Sequence, residues 1–92
     1  MLARVEAKPG KESEVLSFLK SALPLAQAES DTVRWYALQL SPSTFGIFDT
    51  FETDQGRQAH LSGKIAEALM ANAAALLAGP PLIEKVDLLA IK

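Results

Sequence analysis

The sequence predicts an α+β domain in which strands and helices follow the order β-α-β-β-α-β. In the first residues of the chain, side chains of different character alternate between two faces, as in a strand. In the next segment the apolar residues are three and four positions apart, as in an amphipathic helix. Two β-branched and aromatic stretches then flank one short turn, and a second helical run precedes a last apolar stretch. This order is that of a ferredoxin-like fold, with a four-stranded antiparallel sheet that carries its helices on one face.

A turn signal separates the first strand from the first helix. Residues 2–8 alternate between two faces, and Pro9-Gly10 ends the strand. From Glu12 the apolar residues recur at helical spacing, which predicts a helix that ends near Glu29. Pro24 lies inside this pattern and is expected to kink the last turn, because proline lacks an N–H and its ring crowds the preceding turn.

The middle of the sequence predicts an antiparallel hairpin. Residues 33–40 and 44–52 are rich in β-branched and aromatic side chains, and the turn-forming sequence SPST joins them. Alternation places Trp35 and Tyr36 on opposite faces of the first of these strands. On the second strand, one face carries Phe45, Ile47, Asp49 and Phe51, and the other carries Gly46, Phe48 and Thr50.

The last part of the chain predicts two helical segments and a closing strand. Asp54 is placed to cap a short helix that runs to the only histidine, His60, or to the next residue. A second helix begins after Ser62-Gly63, and its core-facing residues are Ile65, Leu69, Ala73, Leu76 and Leu77. A glycine and two prolines stop this helix, so residues 82–91 are predicted to form the fourth strand.

Length and composition limit the functional classes. The 92 residues, 49% of them hydrophobic, fit one small domain that spans residues 1–92. A net charge of −2 with scattered lysines and arginines lacks the basic stripe that nucleic-acid binding requires. The absence of cysteine excludes disulfides and thiolate sites, and the first apolar run is too short for a signal peptide or a membrane span. We therefore expect a cytoplasmic protein with no nucleic-acid or membrane partner.

The uncovered face of the sheet predicts a second copy of the chain. Helices cover only one face, yet large apolar side chains occur on both sides of the predicted strands. An apolar sheet face of this size is rare on soluble monomers. Two such faces packed together would remove both from water, so we expect a homodimer through the open sheet face.

Four segments of the sequence resemble the antibiotic biosynthesis monooxygenase family: VEAKPGKESEVLSFL, LPLAQAES, VRWYAL and FGIFDTFETDQGRQAHL. The last segment is similar to the family's strand carboxylate, aromatic residue and helix histidine, here Asp49, Phe51 and His60. Many relatives have Glu and Trp where this chain has Asp49 and Phe51. The resemblance implies a dimeric α/β barrel. It also implies a range of activities: cofactor-independent oxygenation of quinols and polyketide-like aromatics, heme degradation, and isomerisation of small phosphorylated signals.

His60 is the candidate catalytic residue. Imidazole exchanges protons near neutral pH without a special environment, and the resemblance implies that a histidine here borders the cavity between sheet and helices. The alternative is a half-exposed residue at a helix end that bonds a nearby carbonyl. A single histidine with no second ligand three or four positions away does not predict a metal site, and no other cofactor is expected.

The candidate substrate-binding residues are apolar or aromatic, apart from one carboxylate. The expected pocket walls are Trp35 or Tyr36, Phe48 or Phe51, and Ile65 or Leu69, since alternation alone does not show which face meets the helices. Asp49 shares its face with apolar residues, which is an unfavourable place for an unpaired charge. We interpret it as paired with Arg34 of the neighbouring strand, the alternative being a general base.

Three functions are compatible with these residues. The first is a cofactor-independent monooxygenase in which His60 takes or relays a phenolic proton from a small quinol-like or polycyclic aromatic substrate, whose anion then reacts with dioxygen. The second is a non-catalytic, stress-response domain that binds a small hydrophobic ligand. The third is an isomerase acting by proton transfer, which would require Arg34 and Arg57 to point inward toward an anionic substrate.

Overall fold

The computed structural model describes the whole chain, residues 1–92, and the predicted order of strands and helical regions is confirmed. The strands are β1 (Leu2–Glu6), β2 (Thr32–Gln39), β3 (Thr44–Phe51) and β4 (Leu82–Glu84). The helices are α1 (Glu12–Ser21), α2 (Leu23–Ala28), α3 (Asp54–Leu61) and α4 (Lys64–Leu76). Each of the two predicted helical regions thus consists of two consecutive helices.

The four strands form one open antiparallel sheet in the order β2-β3-β1-β4. The first strand lies in the interior of the sheet, between the third and the fourth, as the ferredoxin-like topology requires. The helices cover one face of this sheet, so the predicted α+β, ferredoxin-like fold is confirmed.

Alternation along the strands directs one set of side chains toward the helices. On β3, Phe45, Ile47 and Asp49 are almost completely buried, whereas the residues between them point to the other face. The buried apolar side chains form one core cluster: Ala3, Val5, Ala7, Val15, Leu19, Ala22, Ala26, Phe45, Ile47, Ile65, Leu69 and Leu77. Full burial of a large aliphatic or aromatic side chain stabilises a fold by about 1.5–3 kcal/mol, so this cluster holds the helices on the sheet.

The predicted kink at Pro24 is a break between α1 and α2. Pro24 occupies the first turn of α2, where its missing N–H removes no intrahelical hydrogen bond. Ala22 joins the two helices with φ of −77° and ψ of −14°, which are still helical values. After α2, Glu29 is extended and leads the chain into β2.

Thr53, and not Asp54, caps α3. The Thr53 hydroxyl oxygen accepts a hydrogen bond of 3.1 Å from the backbone N–H of Gly56, and its backbone is extended. The predicted cap is therefore wrong by one position. Asp54 is the first residue of the helix, where a carboxylate meets the positive end of the helix dipole, and it accepts a hydrogen bond of 3.1 Å from Arg57 Nε.

The fourth strand is much shorter than predicted. β4 contains three residues instead of the ten in residues 82–91. Its last residue, Glu84, pairs with Leu2, the first residue of β1, so residues beyond Glu84 have no partner strand. They form no regular structure, and Leu89 and Ile91 are 96% and 78% exposed.

The face of the sheet opposite the helices carries large apolar side chains. Tyr36 and Phe48 stack there with ring centroids 6.4 Å apart, and Tyr36 is 49% exposed. Strand register places Leu2, Leu38 and Leu82 on the same face. The described chain leaves this face uncovered.

Candidate functional site

His60 lies in the last turn of α3, and its side chain is only 6% exposed. Two residues separate β3 from α3, so the helix returns along the end of the strand that it follows. Thr53 sets the first turn of α3 and thereby the direction in which His60 points. The backbone of α3 lies very close to the start of β2 at Gly56. A Cβ added at this glycine would lie only 3.2 Å from Asp31 Cβ.

Carboxylates contact both ring nitrogens of His60. Nδ1 lies 2.7 Å from one oxygen of Glu29 and 3.0 Å from the other. Nε2 lies 2.8 Å from Asp49 Oδ2. The three side chains come from the end of α2, from β3 and from the end of α3, so this Glu29–His60–Asp49 network joins three elements. The alternative of a half-exposed histidine bonded to a carbonyl is therefore wrong.

The pKa of His60 is raised above its ordinary value of about 6.5. Burial of the ring is the largest single influence, and it acts in the opposite direction by favouring the neutral form. The hydrogen bonds and negative charges of Asp49 and Glu29 together outweigh burial and raise the pKa. The network therefore favours the imidazolium, whose two N–H groups both face carboxylates.

Asp49 is almost completely buried, with a side chain that is 1% exposed. Its Oδ1 lies 3.7 Å from the ammonium of Met1, which donates a hydrogen bond of 2.7 Å to the backbone carbonyl of Asp49. The predicted pairing with Arg34 is wrong. Arg34 lies opposite Thr50 in the register, which places it on the other face of the sheet, and its guanidinium donates to the carbonyl of Val33.

Asp49 retains unused hydrogen-bonding capacity. Both of its carboxylate oxygens are buried; Oδ2 lies within hydrogen-bonding distance of His60 Nε2, and Oδ1 has no hydrogen-bond donor. The contact with His60 therefore joins opposite charges at an ordinary hydrogen-bond distance. An ionised carboxylate offers about four lone-pair positions to donors, and the His60 ring beside Oδ2 and the Met1 ammonium near Oδ1 take up part of them.

A cavity of about 260 Å³ lies beside Asp49 at the end of β3. Its lining residues are Met1, Asp49, Thr50, Phe51, Glu52, Thr53, Asp54, Arg57, Val86, Asp87 and Leu88. Phe51 gives the cavity an aromatic wall, and the Phe51 ring also lies 5.4 Å from the ring of His60. The site therefore combines an aromatic surface with a buried carboxylate.

A second cavity, of about 240 Å³, lies on the Glu29 side of the network and includes His60 in its lining. Glu29 is 22% exposed, so exposure increases from Asp49 through His60 to Glu29. The network thus connects the cavity beside Asp49 to an outer, solvated opening.

The structure brings together only some of the predicted site residues. Trp35 faces the helices opposite Asp49 in the register, but it lines a different cavity of about 290 Å³, and its Nε1–H is buried without an acceptor. Tyr36 and Phe48 lie on the open face of the sheet. Ile65 and Leu69 belong to the core cluster. Asp49 and Phe51 are the predicted substrate-binding residues that share one cavity.

Glu29 belongs to this site, although the sequence did not predict it. A carboxylate just after an amphipathic helix is normally solvated, and no local pattern distinguishes a charge that pairs with a residue far along the chain. A usable signal was the buried position of Asp49, because a carboxylate on an apolar strand face needs a partner, and the only histidine follows shortly after it.

The chain contains no cluster of three or more His, Cys, Asp or Glu side chains placed to hold a metal ion. Glu29 and Asp49 lie at different ring nitrogens of His60, so their oxygens do not converge on one point. None of the helices has the length and apolar character needed to cross a membrane.

Comparison with known proteins identifies a relative of high similarity. No family model matches the sequence, and no curated protein matches it. A crystal structure of a protein of unknown function from Nitrosomonas europaea is 64% identical, has a TM-score of 0.97, and is matched over 99% of this chain and 88% of that one. The chain belongs to the family of this Nitrosomonas protein. Because that protein is of unknown function and a shared fold does not fix an activity, membership of the family assigns none to this chain.

More distant solved structures share the fold of this family. A protein from Nitrosomonas europaea, provisionally described as an antibiotic biosynthesis monooxygenase, has a TM-score of 0.77 at 17% identity, over 88% of this chain and 80% of its own. A second protein described in the same way, from Bacteroides thetaiotaomicron, has a TM-score of 0.74 at 14% identity, over 99% of this chain and 90% of its own. The resemblance to the antibiotic biosynthesis monooxygenases is therefore confirmed at the level of the fold.

Proposed function

We propose that this protein is a cofactor-independent monooxygenase that acts on a small, quinol-like aromatic molecule. The observation that carries the proposal is the place of Asp49, a residue in the lining of a cavity with an aromatic wall, whose buried carboxylate is held beside the ring of His60. The fold shared with proteins described as monooxygenases supports it. A cavity of about 260 Å³ suits a single-ring substrate better than a polycyclic one, because pockets for drug-sized ligands begin at about 300 Å³.

The proposed reaction couples loss of a proton from the substrate to electron transfer. Asp49 accepts a hydrogen bond from a phenolic hydroxyl and takes its proton as an electron passes from the ring to dioxygen. The resulting radical pair combines at a ring carbon. Loss of water then leaves one oxygen atom on the ring as a quinone carbonyl and releases the other as water, so a hydroquinone and dioxygen yield a hydroxyquinone and water.

In this mechanism His60 relays a proton to Glu29 and so keeps the net charge of the network constant. Both of its ring nitrogens face carboxylates, so neither nitrogen is free to take the first proton from a substrate. When Asp49 takes a proton from the substrate, the imidazolium releases one from Nδ1 to Glu29, which passes it to solvent. The net charge of the network is thereby the same before and after the step.

Oxygen consumption by the purified protein tests this proposal. A panel of hydroquinones and catechols is offered to the wild-type chain, to Asp49→Asn, to His60→Ala, and to Glu67→Gln as a control on the exposed surface of α4. We expect uptake by the wild type and by Glu67→Gln, and a loss of about 100-fold or more in the other two, as is typical of a missing proton-transfer group. Uptake that is equal in all four, or no higher than without protein, contradicts the proposal.

The second candidate is a non-catalytic domain that binds a small ligand. It is favoured by one observation: the Glu29–His60–Asp49 network ties three elements together, as a purely structural network would. A binding domain predicts saturable binding of a ligand without its conversion. The isomerase hypothesis has less support, because Arg34 lies on the open face and Arg57 is bound by Asp54, which leaves few cations for an anionic substrate.

We further propose that the protein is a homodimer through the open face of the sheet. Tyr36, Phe48 and Leu82 form part of an apolar surface on that face, and Arg4 and Glu6 lie beside it on β1. A surface that carries both signs of charge around an apolar centre can pack on a copy of itself about a two-fold axis.

A further inference from the structure

Glu29, at the outer end of the network, depends on His60 for its only ion pair. The cavity of about 240 Å³ on this side of the network is lined by nine residues, and none of them is a lysine or an arginine. Asp31, in the same lining, adds a second negative charge. The charged ring of His60 is therefore the group that neutralises Glu29.

The charges that act on the ring of His60 come from two sides. Asp49 of β3 faces Nε2, and the ammonium of Met1 lies beyond it, 3.7 Å from Oδ1. Glu29 faces Nδ1. Burial is the largest influence and lowers the pKa of the ring, but the hydrogen bonds and charges of Asp49 and Glu29 outweigh it. The other charged residues on neighbouring parts of the chain form no ion pair with the network: Asp31, Glu52, Asp54, Arg57, Lys64 and Lys85.

Loss of one proton from His60 makes the two carboxylates unequal. The charged ring has two N–H groups, whereas the neutral ring has one. Asp49 is 1% exposed, so water cannot replace a lost donor there, while Glu29 is 22% exposed and can be hydrated. The remaining N–H therefore stays at Nε2. Nδ1 then turns a lone pair toward the carboxylate of Glu29, and two acceptors that face each other repel.

The chain around Glu29 is built to follow such a change. Glu29 is extended at the end of α2, and the exposed residues Ser30 and Asp31 form the turn into β2. The N–H of Thr32 closes this turn by a hydrogen bond of 3.3 Å to the Glu29 carbonyl, and its hydroxyl lies 3.4 Å from the carboxylate. Gly63 presents no side chain beside the carboxylate. Few contacts besides the ion pair thus hold this segment in place.

We infer that Glu29 is a gate whose position follows the protonation state of His60. With the ring charged, the carboxylate is held against Nδ1 and covers it. With the ring neutral, the carboxylate swings into water, the turn at residues 30–31 loosens, and Nδ1 becomes accessible from the outer cavity. The pKa of His60 is raised above about 6.5, so the gate opens on the alkaline side of that value. The gate needs no substrate and is independent of the proposed oxygenase.

NMR spectroscopy of the full chain, from about pH 6 to about pH 9, tests the gate. The imidazole nitrogen shifts of the single histidine give its protonation state and its tautomer. Amide hydrogen exchange, corrected for its intrinsic pH dependence, gives the protection of each backbone N–H. We expect a neutral ring protonated at Nε2 and a loss of protection of about tenfold or more at Thr32. The N–H of Asp49, bonded to the Met1 carbonyl at 3.0 Å, is the internal reference and should stay protected.

Substitutions connect the opening to the two residues of the gate. Glu29→Gln replaces the carboxylate with an amide that donates to a lone pair or accepts from an N–H, so protection at Thr32 should no longer vary with pH. His60→Gln removes the titrating group and should have the same effect. Glu67→Gln, on the exposed side of α4, is the matched control and should retain the wild-type change.

Four results would overturn the inference. The first is protection at Thr32 that does not change with pH in the wild type. The second is a neutral ring protonated at Nδ1, since Glu29 would then keep its donor. The third is an equal loss of protection at Asp49, which would mean that the whole domain unfolds. The fourth is persistence of the wild-type change in His60→Gln, because another group would then be titrating.

Discussion

Nδ1 of His60 lies 2.7 Å from Oε2 of Glu29, although the two residues are 31 positions apart in the sequence. Through this contact, and through the ion pair between His60 and Asp49, one imidazole connects the end of α2, the end of α3 and the interior of β3. This network, the cap that orients its helix, and the uncovered face of the sheet each have consequences that can be measured.

The stability of the fold is expected to decrease as the pH rises through the pKa of folded His60. This pKa is raised, whereas the unfolded value is about 6.5, so folding favours the protonated ring. The stabilisation is complete below the unfolded pKa and is lost as the pH rises above 6.5 through the folded pKa. Urea denaturation of the wild type and of His60→Gln, from about pH 6 to about pH 9, measures the free energy of unfolding. The free energy of unfolding of the wild type is expected to approach that of His60→Gln as the pH rises. A difference that stays constant with pH would contradict the prediction.

Glu29→Gln is expected to lower the pKa of His60. The substitution removes a negative charge beside Nδ1. Burial of the ring favours the neutral form, and in the variant only Asp49 still counteracts this effect by favouring the charged form. The C2-proton resonance of the single histidine reports the pKa directly in an NMR titration. Glu67→Gln removes an equal charge at a distant exposed position and should leave the titration unchanged. An unaltered midpoint in Glu29→Gln would show that the contact does not stabilise the imidazolium.

Asp49→Asn is expected to destabilise the protein by about 3 kcal/mol, the order measured when one member of a buried ion pair is removed. The amide has the size of the carboxylate, but it leaves the His60 imidazolium and the Met1 ammonium without their buried counter-charge. The midpoint of urea unfolding near neutral pH is the measurement. A change below about 0.5 kcal/mol, the usual range for a surface substitution such as Glu67→Gln, would mean that the ion pairs contribute little.

Thr53→Ala is expected to cost about 1 kcal/mol, because it removes the side-chain acceptor for the Gly56 N–H at the start of α3. Thr53→Ser retains the hydroxyl and should be close to the wild type in thermal denaturation. Ser62→Ala is a suitable second control, since the Ser62 hydroxyl only bonds back to carbonyls at the exposed end of the same helix. Equal losses in the alanine and serine variants would indicate a packing effect and not a cap.

Charge on the open face is expected to dissociate the proposed homodimer. Tyr36 and Leu82 are 49% and 57% exposed, so an aspartate at either position is tolerated by the monomer but not by an apolar interface. Light scattering coupled to gel filtration is expected to give twice the monomer mass for the wild type and the monomer mass for Tyr36→Asp and Leu82→Asp. Met70→Asp, on the exposed side of α4, is the control. A wild type of monomer mass would refute the dimer.

Local patterns in the sequence account for most of the fold. Apolar residues recur every second position in strands and about every three and a half positions in helices. These two periods place β1, β2, β3 and the helices within one or two residues of their observed bounds. The break at Pro24 follows from the chemistry of one residue. The extent of the fourth strand does not follow in this way, because β4 ends where β1 has no further residue to pair with it.

The sequence by itself determined the order of the elements, the alternation of faces on each strand, and the need for a partner beside Asp49. Only the tertiary structure decided that the partner is His60 and not Arg34, that Glu29 completes the network, and that Tyr36 and Phe48 lie on the open face. The physical reason is the separation along the sequence of the residues on which each feature depends. Periodicity and capping depend on residues within a few positions of one another, whereas an ion pair depends on where the packing of helices on the sheet places side chains far apart along the chain.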